Sequence, residues 1–247
     1  MSKTRIGFIG LGNVGGKLAG NLLRHGVDLT VRDLNDALVD SFVARGAQRA
    51  KSPRELAAAV DIVITCLPSP AASAAVMEGA DGILEGLTAG KIWLEMSTTD
   101  SAEIKRLAAK VEALGATAMD FPVSGGCHRA ATGNIAIFAG GERAAFERVL
   151  PTLSILGRKI LHTGPLGSAS MLKVLTNYLC TVHLAALAEA LTVAKVIGLD
   201  MNMTYEGIRI SSGNSFVHET ESQVILNGSR DISFTMDLVI KDVGLFD

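Results

Sequence analysis

Apolar and polar positions alternate in blocks through the first two-thirds of the chain. Short apolar runs recur at Thr4-Arg-Ile-Gly-Phe-Ile9, Asp28-Leu-Thr-Val-Arg32, Asp61-Ile-Val-Ile-Thr-Cys66 and Lys91-Ile-Trp-Leu-Glu95. Ala116-Thr-Ala-Met119, Asn134-Ile-Ala-Ile-Phe-Ala139 and Lys159-Ile-Leu-His162 continue the series. Between them lie segments of helical period, among them Gly16–His25, Ser52–Ala59 with Pro53 in its first turn, and Ser101–Leu114. Ser101, with Glu103 close behind it, reads as a helix start. Apolar strands without strict alternation, separated by helices, are the pattern of a mostly parallel sheet covered on both faces.

The rhythm changes near Gly164. After Gly167 no proline, glycine or strand signal interrupts the chain until Ile197. The stretch predicts one helix of about 45 Å. Its Leu184–Leu187 and Leu191–Val196 segments are apolar around most of the circumference, which predicts burial on several sides. Such a helix would serve as a spine between two domains and as a subunit contact. Helical segments follow at Asn202–Ser211 and Phe216–Leu226. The chain therefore divides into an α/β domain over 1–163 and an all-helical domain over 164–247.

The turn after the first strand narrows the α/β class. Gly10-Leu-Gly12-Asn-Val-Gly15 sits between an apolar strand and an amphipathic helix, and Asp33 ends the second strand 18 residues beyond Gly15. Strand, glycine turn, helix, strand and acid together form the unit of a dinucleotide site on a Rossmann-type doubly wound sheet. Gly10 allows the tight turn, Gly12 lets a pyrophosphate approach the backbone, and Gly15 lets helix and strand lie close. Leu11, Asn13 and Val14 complete the loop, and the N–H groups at the helix start face the phosphates. The Asp33 carboxylate suits a ribose diol and repels a 2′-phosphate, which favours NAD over NADP. The Arg32 guanidinium would serve a phosphate if it turned inward, but strand alternation points it away from Asp33.

Composition excludes some partners. The 247 residues are 48% apolar and 19% charged, with a net charge of −2, so nothing points to nucleic acid or an anionic membrane surface. Met1-Ser-Lys-Thr-Arg leads straight into a strand, with no expectation of a signal peptide. Leu184–Leu199 is interrupted by Glu189 and Lys195, and reads as too polar and too short to span a membrane. Cys66, Cys127 and Cys180 form no C-x-x-C pair or metal-ligand pattern, and read as free thiols in a cytoplasmic protein.

Further candidates lie at carboxyl ends of strands, where open α/β sheets place ligands. Leu67-Pro68-Ser-Pro70 reads as a ligand loop or a proline turn, and Ser97-Thr98-Thr99 as a ligand loop or a helix cap. Asp120-Phe-Pro-Val-Ser124-Gly125-Gly126 leaves backbone N–H groups open to a carboxylate. His128 and Arg129 would add positive charge there, or form a solvated pair. Lys173 and Asn177 lie four residues apart on the long helix. By itself Lys173 reads as a snorkelling lysine; buried at a cleft it would titrate low enough to move protons.

Taken together these residues resemble the β-hydroxyacid dehydrogenase family. The likeness runs through Gly7-Phe-Ile-Gly-Leu-Gly-Asn-Val-Gly15, Asp120–Gly126, Gly164-Pro-Leu-Gly167 to Asn177, and Lys241-Asp-Val-Gly-Leu245. It implies a dinucleotide domain, the long helix, an all-helical second domain, and a homodimer or homotetramer. It implies Lys173 as the acid/base, Asn177 as the residue orienting the substrate, and Ser124, Gly125 and Gly126 as the carboxylate cradle. Leu67, Pro68 and Thr98 would contact the cofactor and Lys241 would close over it. The substrate would be a small β-hydroxy acid of the 3-hydroxyisobutyrate type, oxidised by NAD. Departures are Thr176, where a first asparagine is frequent, Met96 for a small polar residue, and His128-Arg129 for a small pair. The alternatives are an NADP-dependent semialdehyde reductase and a catalytically silent dinucleotide-binding module. Imine reduction and decarboxylating oxidation of a sugar acid fit less well, the first because Lys173 is present.

Overall fold

A computed structural model describes residues 4–229 and 234–246, so the Met1–Lys3 start and Asp247 lie outside the described residues. The order opens with β1 (Arg5–Ile9), α1 (Gly15–Arg24), β2 (Asp28–Arg32), α2 (Asp36–Val43), β3 (Gln48–Arg49) and α3 (Pro53–Ala59). Then come β4 (Ile62–Thr65), α4 (Pro70–Glu78), α5 (Ile83–Gly86), β5 (Ile92–Glu95), α6 (Ser101–Ala113), β6 (Thr117–Asp120) and β7 (Val123–Ser124). The α/β part continues with α7 (Gly126–Ala131), β8 (Ile135–Gly140), α8 (Arg143–Leu156) and β9 (Gly157–Gly164). α9 (Ser168–Val196), α10 (Met201–Arg209), α11 (Phe216–Leu226) and α12 (Met236–Gly244) follow.

The strands form one sheet in the order β3-β2-β1-β4-β5-β6-β8-β7, with β9 added on β8. Pairings are parallel from β3 through β6 and between β8 and β9; β8 runs antiparallel to β6 and β7. The continuous apolar runs follow from burial on both faces. Along β4, Ile62 and Ile64 enter one core cluster while Val63 enters the other, and along β5 Ile92 and Leu94 oppose Trp93 in the same way. Parallel register sets Val63 beside Trp93 and Ile64 beside Leu94, so side chains of like orientation stack across the sheet. The indole Nε1 of Trp93, fully buried, donates to Thr65 Oγ1 at 2.9 Å.

Capping side chains fix several helix starts. Ser52 caps α3, Ser69 caps α4, and Asp100 accepts the Glu103 N–H at the start of α6. The helix starts at Ser101 as expected; its cap is Asp100 rather than Thr98 or Thr99, a carboxylate in extended backbone that reaches the orphan N–H. Between α4 and α6, Glu78 pairs with Arg106 at 2.7 Å and with Lys110. These two cations hold the Glu78 carboxyl down to about 2.

The chain divides into two compact units, Met1–Val174 and Leu175–Asp247. The second has a small core of Leu187, Leu191 and Val217, with Met201 and Ile208 packed against it. Here the expectation for the long helix fails. It forms as one helix of 29 residues, but Leu179, Val182, Leu184, Val193 and Val196 are exposed, Val196 by 80%. The short helices of the second unit supply too little surface to cover an apolar circumference. Over its whole length, rather than over Leu184–Leu199 alone, α9 is also long and apolar enough to cross a membrane by length and composition.

Candidate active site

The glycine loop is shaped by contacts that forbid side chains at two positions and leave a third open. Gly10 has φ +96°, and a Cβ there would lie 2.2 Å from the Cys66 carbonyl oxygen. A Cβ at Gly15 would lie 2.1 Å from the Gly10 carbonyl oxygen. At Gly12 a Cβ would meet no heavy atom within 4 Å. The start of α1, at Val14, has no side-chain cap. Gly12 and Asn13 are exposed, Val14 is half-buried and Leu11 is buried.

Asp33 is half-buried beside this loop. Its carboxylate accepts the Leu11 N–H at 2.6 Å and the Asn35 N–H at 2.8 Å. A carboxylate has about four acceptor positions, so a diol can still donate to it. The Arg32 carbonyl accepts the Gly10 N–H at 3.1 Å, while its half-buried side chain has Nε buried without a hydrogen bond. Open backbone at Gly12, an uncapped helix start and a carboxylate with spare acceptors fit a dinucleotide pyrophosphate and ribose.

Two strand-end segments meet farther along the sheet. The Leu67 N–H donates to Ser97 Oγ at 2.7 Å, and the Ser97 N–H donates to Glu95 Oε1 at 2.8 Å. Leu67 and Thr98 are half-buried and Pro68 is exposed. Glu95 is only 1% exposed. Burial drives its carboxyl above the usual range, opposed by hydrogen bonding from Ser97 and by the nearby Ser73 and Thr65 hydroxyls. Nothing in the apolar pattern of the strand ending at Glu95 marks it out; the signal was a carboxylate closing a doubly covered strand.

The expected carboxylate cradle follows β6. Gly125 and Gly126 adopt φ +126° and +77°, where glycine is favoured. His128 is exposed as a solvated residue would be. Arg129 is half-buried instead, its Cδ 3.0 Å from the position of a Gly125 Cβ. Behind the cradle, Asn21 Nδ2 in α1 donates to the Ala130 carbonyl at 2.8 Å, and Arg24 donates to the Ala131 carbonyl at 2.7 Å. These bonds couple the helix after the glycine loop to the helix after the cradle, a link that sequence reasoning missed.

At the head of the cradle, Asp120 is fully buried and accepts the N–H groups of Gly167 at 2.9 Å and Ser170 at 2.7 Å. It caps α9. One charge-assisted cap of this kind stabilises a helix start by about 1 kcal/mol or more. Lys173 stands one turn beyond, and it is 8% exposed. Burial rules out the snorkelling reading.

In the second unit, the Asn177 amide donates to Asp242 Oδ2 at 2.5 Å, and Lys241 pairs with Asp242 Oδ1 at 2.6 Å. Asp242 is buried and fixes which way the Asn177 amide faces. In the sequence Asp242 stands out only as the neighbour of Lys241.

The chain is similar to known proteins. The profile of the NAD binding domain of 6-phosphogluconate dehydrogenase matches residues 5–164, and that for NAD-binding of NADP-dependent 3-hydroxyisobutyrate dehydrogenase matches 167–246. The 2-(hydroxymethyl)glutarate dehydrogenase of Eubacterium barkeri is 38% identical over 242 residues, 98% of this chain and 80% of that protein. The mitochondrial 3-hydroxyisobutyrate dehydrogenase of Rattus norvegicus is 36% identical over 99% of this chain and 75% of its own. The structure of Mycobacterium tuberculosis 3-hydroxyisobutyrate dehydrogenase with L-serine superimposes with a TM-score of 0.88 at 28% identity, covering 99% of this chain and 85% of that one.

Proposed function

This chain belongs to the β-hydroxyacid dehydrogenase family, and on that premise we propose that it is an NAD-dependent dehydrogenase of a small β-hydroxy acid of the 3-hydroxyisobutyrate type. Membership carries an oxidoreductase that uses NAD or NADP on a small hydroxy acid. The choice of NAD rests on Asp33, whose carboxylate faces the glycine loop where a 2′-phosphate would meet like charge.

The observation that carries the mechanism is the burial of Lys173 one turn into a helix whose start is held by Asp120, on the segment that leads to the Ser124–Gly126 cradle. When bound, the dinucleotide supplies the hydride acceptor. In the direction of oxidation the neutral Lys173 amine takes the proton of the β-hydroxyl, and the C–H electron pair leaves the same carbon. In reduction the Lys173 ammonium polarises the carbonyl oxygen and returns that proton. The backbone N–H groups around Gly125 and Gly126 hold the carboxylate. Asn177, fixed by Asp242, has the substrate-orienting role that the resemblance implies, and Lys241 the closing role.

The apolar residues exposed on α9 support a homodimer or homotetramer in which a second copy covers them. The catalytic reading is tested by following dinucleotide reduction with 3-hydroxyisobutyrate, serine, glycerate and longer homologues, each with NAD and with NADP. Turnover of at least one acid, faster with NAD, is expected. No turnover across the panel would return the protein to a silent dinucleotide-binding module.

A further inference from the structure

A parallel sheet leaves the loops beyond its carboxyl edge without ladder bonds, and each loop is then free to move by itself. Here the last ladder bond between β4 and β5 runs from the Met96 N–H to the Thr65 carbonyl at 2.8 Å. One residue farther out, the two loops are joined again by side chains. Ser97 Oγ accepts the N–H of Leu67, 30 residues away, and the Ser97 N–H is held by Glu95 Oε1.

The surroundings of this joint are dry. Thr65, Ser73, Glu95, Ser97 and Thr99 are all buried, next to the indole of Trp93. Glu95 Oε2 and Ser73 Oγ are buried without a hydrogen bond, although the Ser73 and Thr65 hydroxyls lie close enough to act on the carboxyl. A polar cluster buried this deeply is costly unless its geometry serves something. The loops it joins carry Leu67, Pro68 and Thr98, the residues that the resemblance sets against the cofactor.

We propose that Ser97 and Glu95 are positioning residues that set the spacing of the two cofactor-facing loops, Ser97 by accepting the Leu67 N–H and Glu95 by holding Ser97 in place. Neither touches the reacting atoms. Their effect reaches the dinucleotide through the Leu67–Pro68 and Thr98 backbone, so the inference rests on the dinucleotide reading above. Glu95 acts as an acceptor for Ser97 and not as a charge. Glutamine supplies the same Oε1 acceptor, and its amide can donate to Ser73.

The test is amide hydrogen exchange of the dinucleotide-free protein, with the NAD dissociation constant measured by calorimetry on the same samples. Ser97→Ala removes one hydroxyl. It is expected to speed exchange at Leu67 about fivefold to tenfold and to weaken NAD by a similar factor. Amides of the Gly10–Gly15 loop are expected to be unchanged. Glu95→Leu is expected to follow Ser97→Ala, and Glu95→Gln to keep wild-type exchange and affinity. Should Glu95→Leu not fold, Ser97→Ala and Glu95→Gln decide between them. Wild-type protection of Leu67 in Ser97→Ala overturns the proposal, as does a Glu95→Gln variant as damaged as Ser97→Ala. A wild-type protein that binds no dinucleotide overturns the reading beneath it, an outcome that calorimetry separates from the exchange data.

Discussion

The two units of this chain bury apolar residues to very different extents. In the first, successive residues of β4 and β5 feed core clusters on opposite faces of the sheet, and the largest side chains, Trp93, Phe8 and Phe121, are fully buried. In the second, Leu187, Leu191 and Val217 make the core, while Val193, Val196, Met203 and Ile210 face outward. The first unit is stabilised by its own packing; the second leaves much of its apolar surface uncovered. Candidate chemistry follows the same division. Its rigid parts, the glycine loop, the Asp120 cap and the Ser97 joint, sit on the well-packed sheet.

Core substitutions give the largest contrast. Trp93→Ala removes a fully buried indole and its bond to Thr65, and is expected to cost about 3–5 kcal/mol in denaturant unfolding. Leu187→Ala is expected to cost about 2 kcal/mol, with a midpoint that shifts with protein concentration. Equal costs, both independent of concentration, would erase the distinction between the units. A smaller effect is expected at the dinucleotide site. Asp33→Ala should weaken NAD by about tenfold and NADP much less, measured by calorimetry. Equal losses would mean that Arg32 sets the preference.

The smallest effects are titrations within the first unit, and their signs are opposite. The Glu95 carboxyl is raised by burial, so the folded state binds the proton more tightly than the unfolded state does. Its contribution is fully present below the ordinary carboxylate value and is lost as pH rises; Glu95→Gln should therefore gain on the wild type with increasing pH. Glu78 is lowered from 4.5 to about 2 by Arg106 and Lys110. Its contribution is present above 4.5 and lost as pH falls toward 2, and salt should weaken it because all three side chains are partly exposed. Stability curves of the wild type, Glu95→Gln and Glu78→Gln against pH check both signs; parallel curves would contradict both.

What the sequence made legible follows the same line between local and distant determinants. β1, β2, β4 and β5 were readable because double burial leaves continuous apolar runs, and the glycine loop because its spacing is local. β3 and β7 are two residues each, too short to carry a period. The roles of Asp120, Asn21 and Ser97 were hidden because their partners lie 30 to 109 residues away in sequence. The apolar circumference of α9 is legible in the sequence as pattern but not as burial. Periodicity reports which positions are apolar, not which surface covers them.

The central claim is that Lys173, buried one turn beyond the Asp120 cap, moves the hydroxyl proton. Steady-state turnover of Lys173→Ala on the best acid of the panel, with NAD binding measured on the same protein, tests it most directly. The account predicts kcat lowered by about a thousandfold with NAD affinity unchanged. Turnover close to the wild type in a variant that binds NAD normally would contradict it.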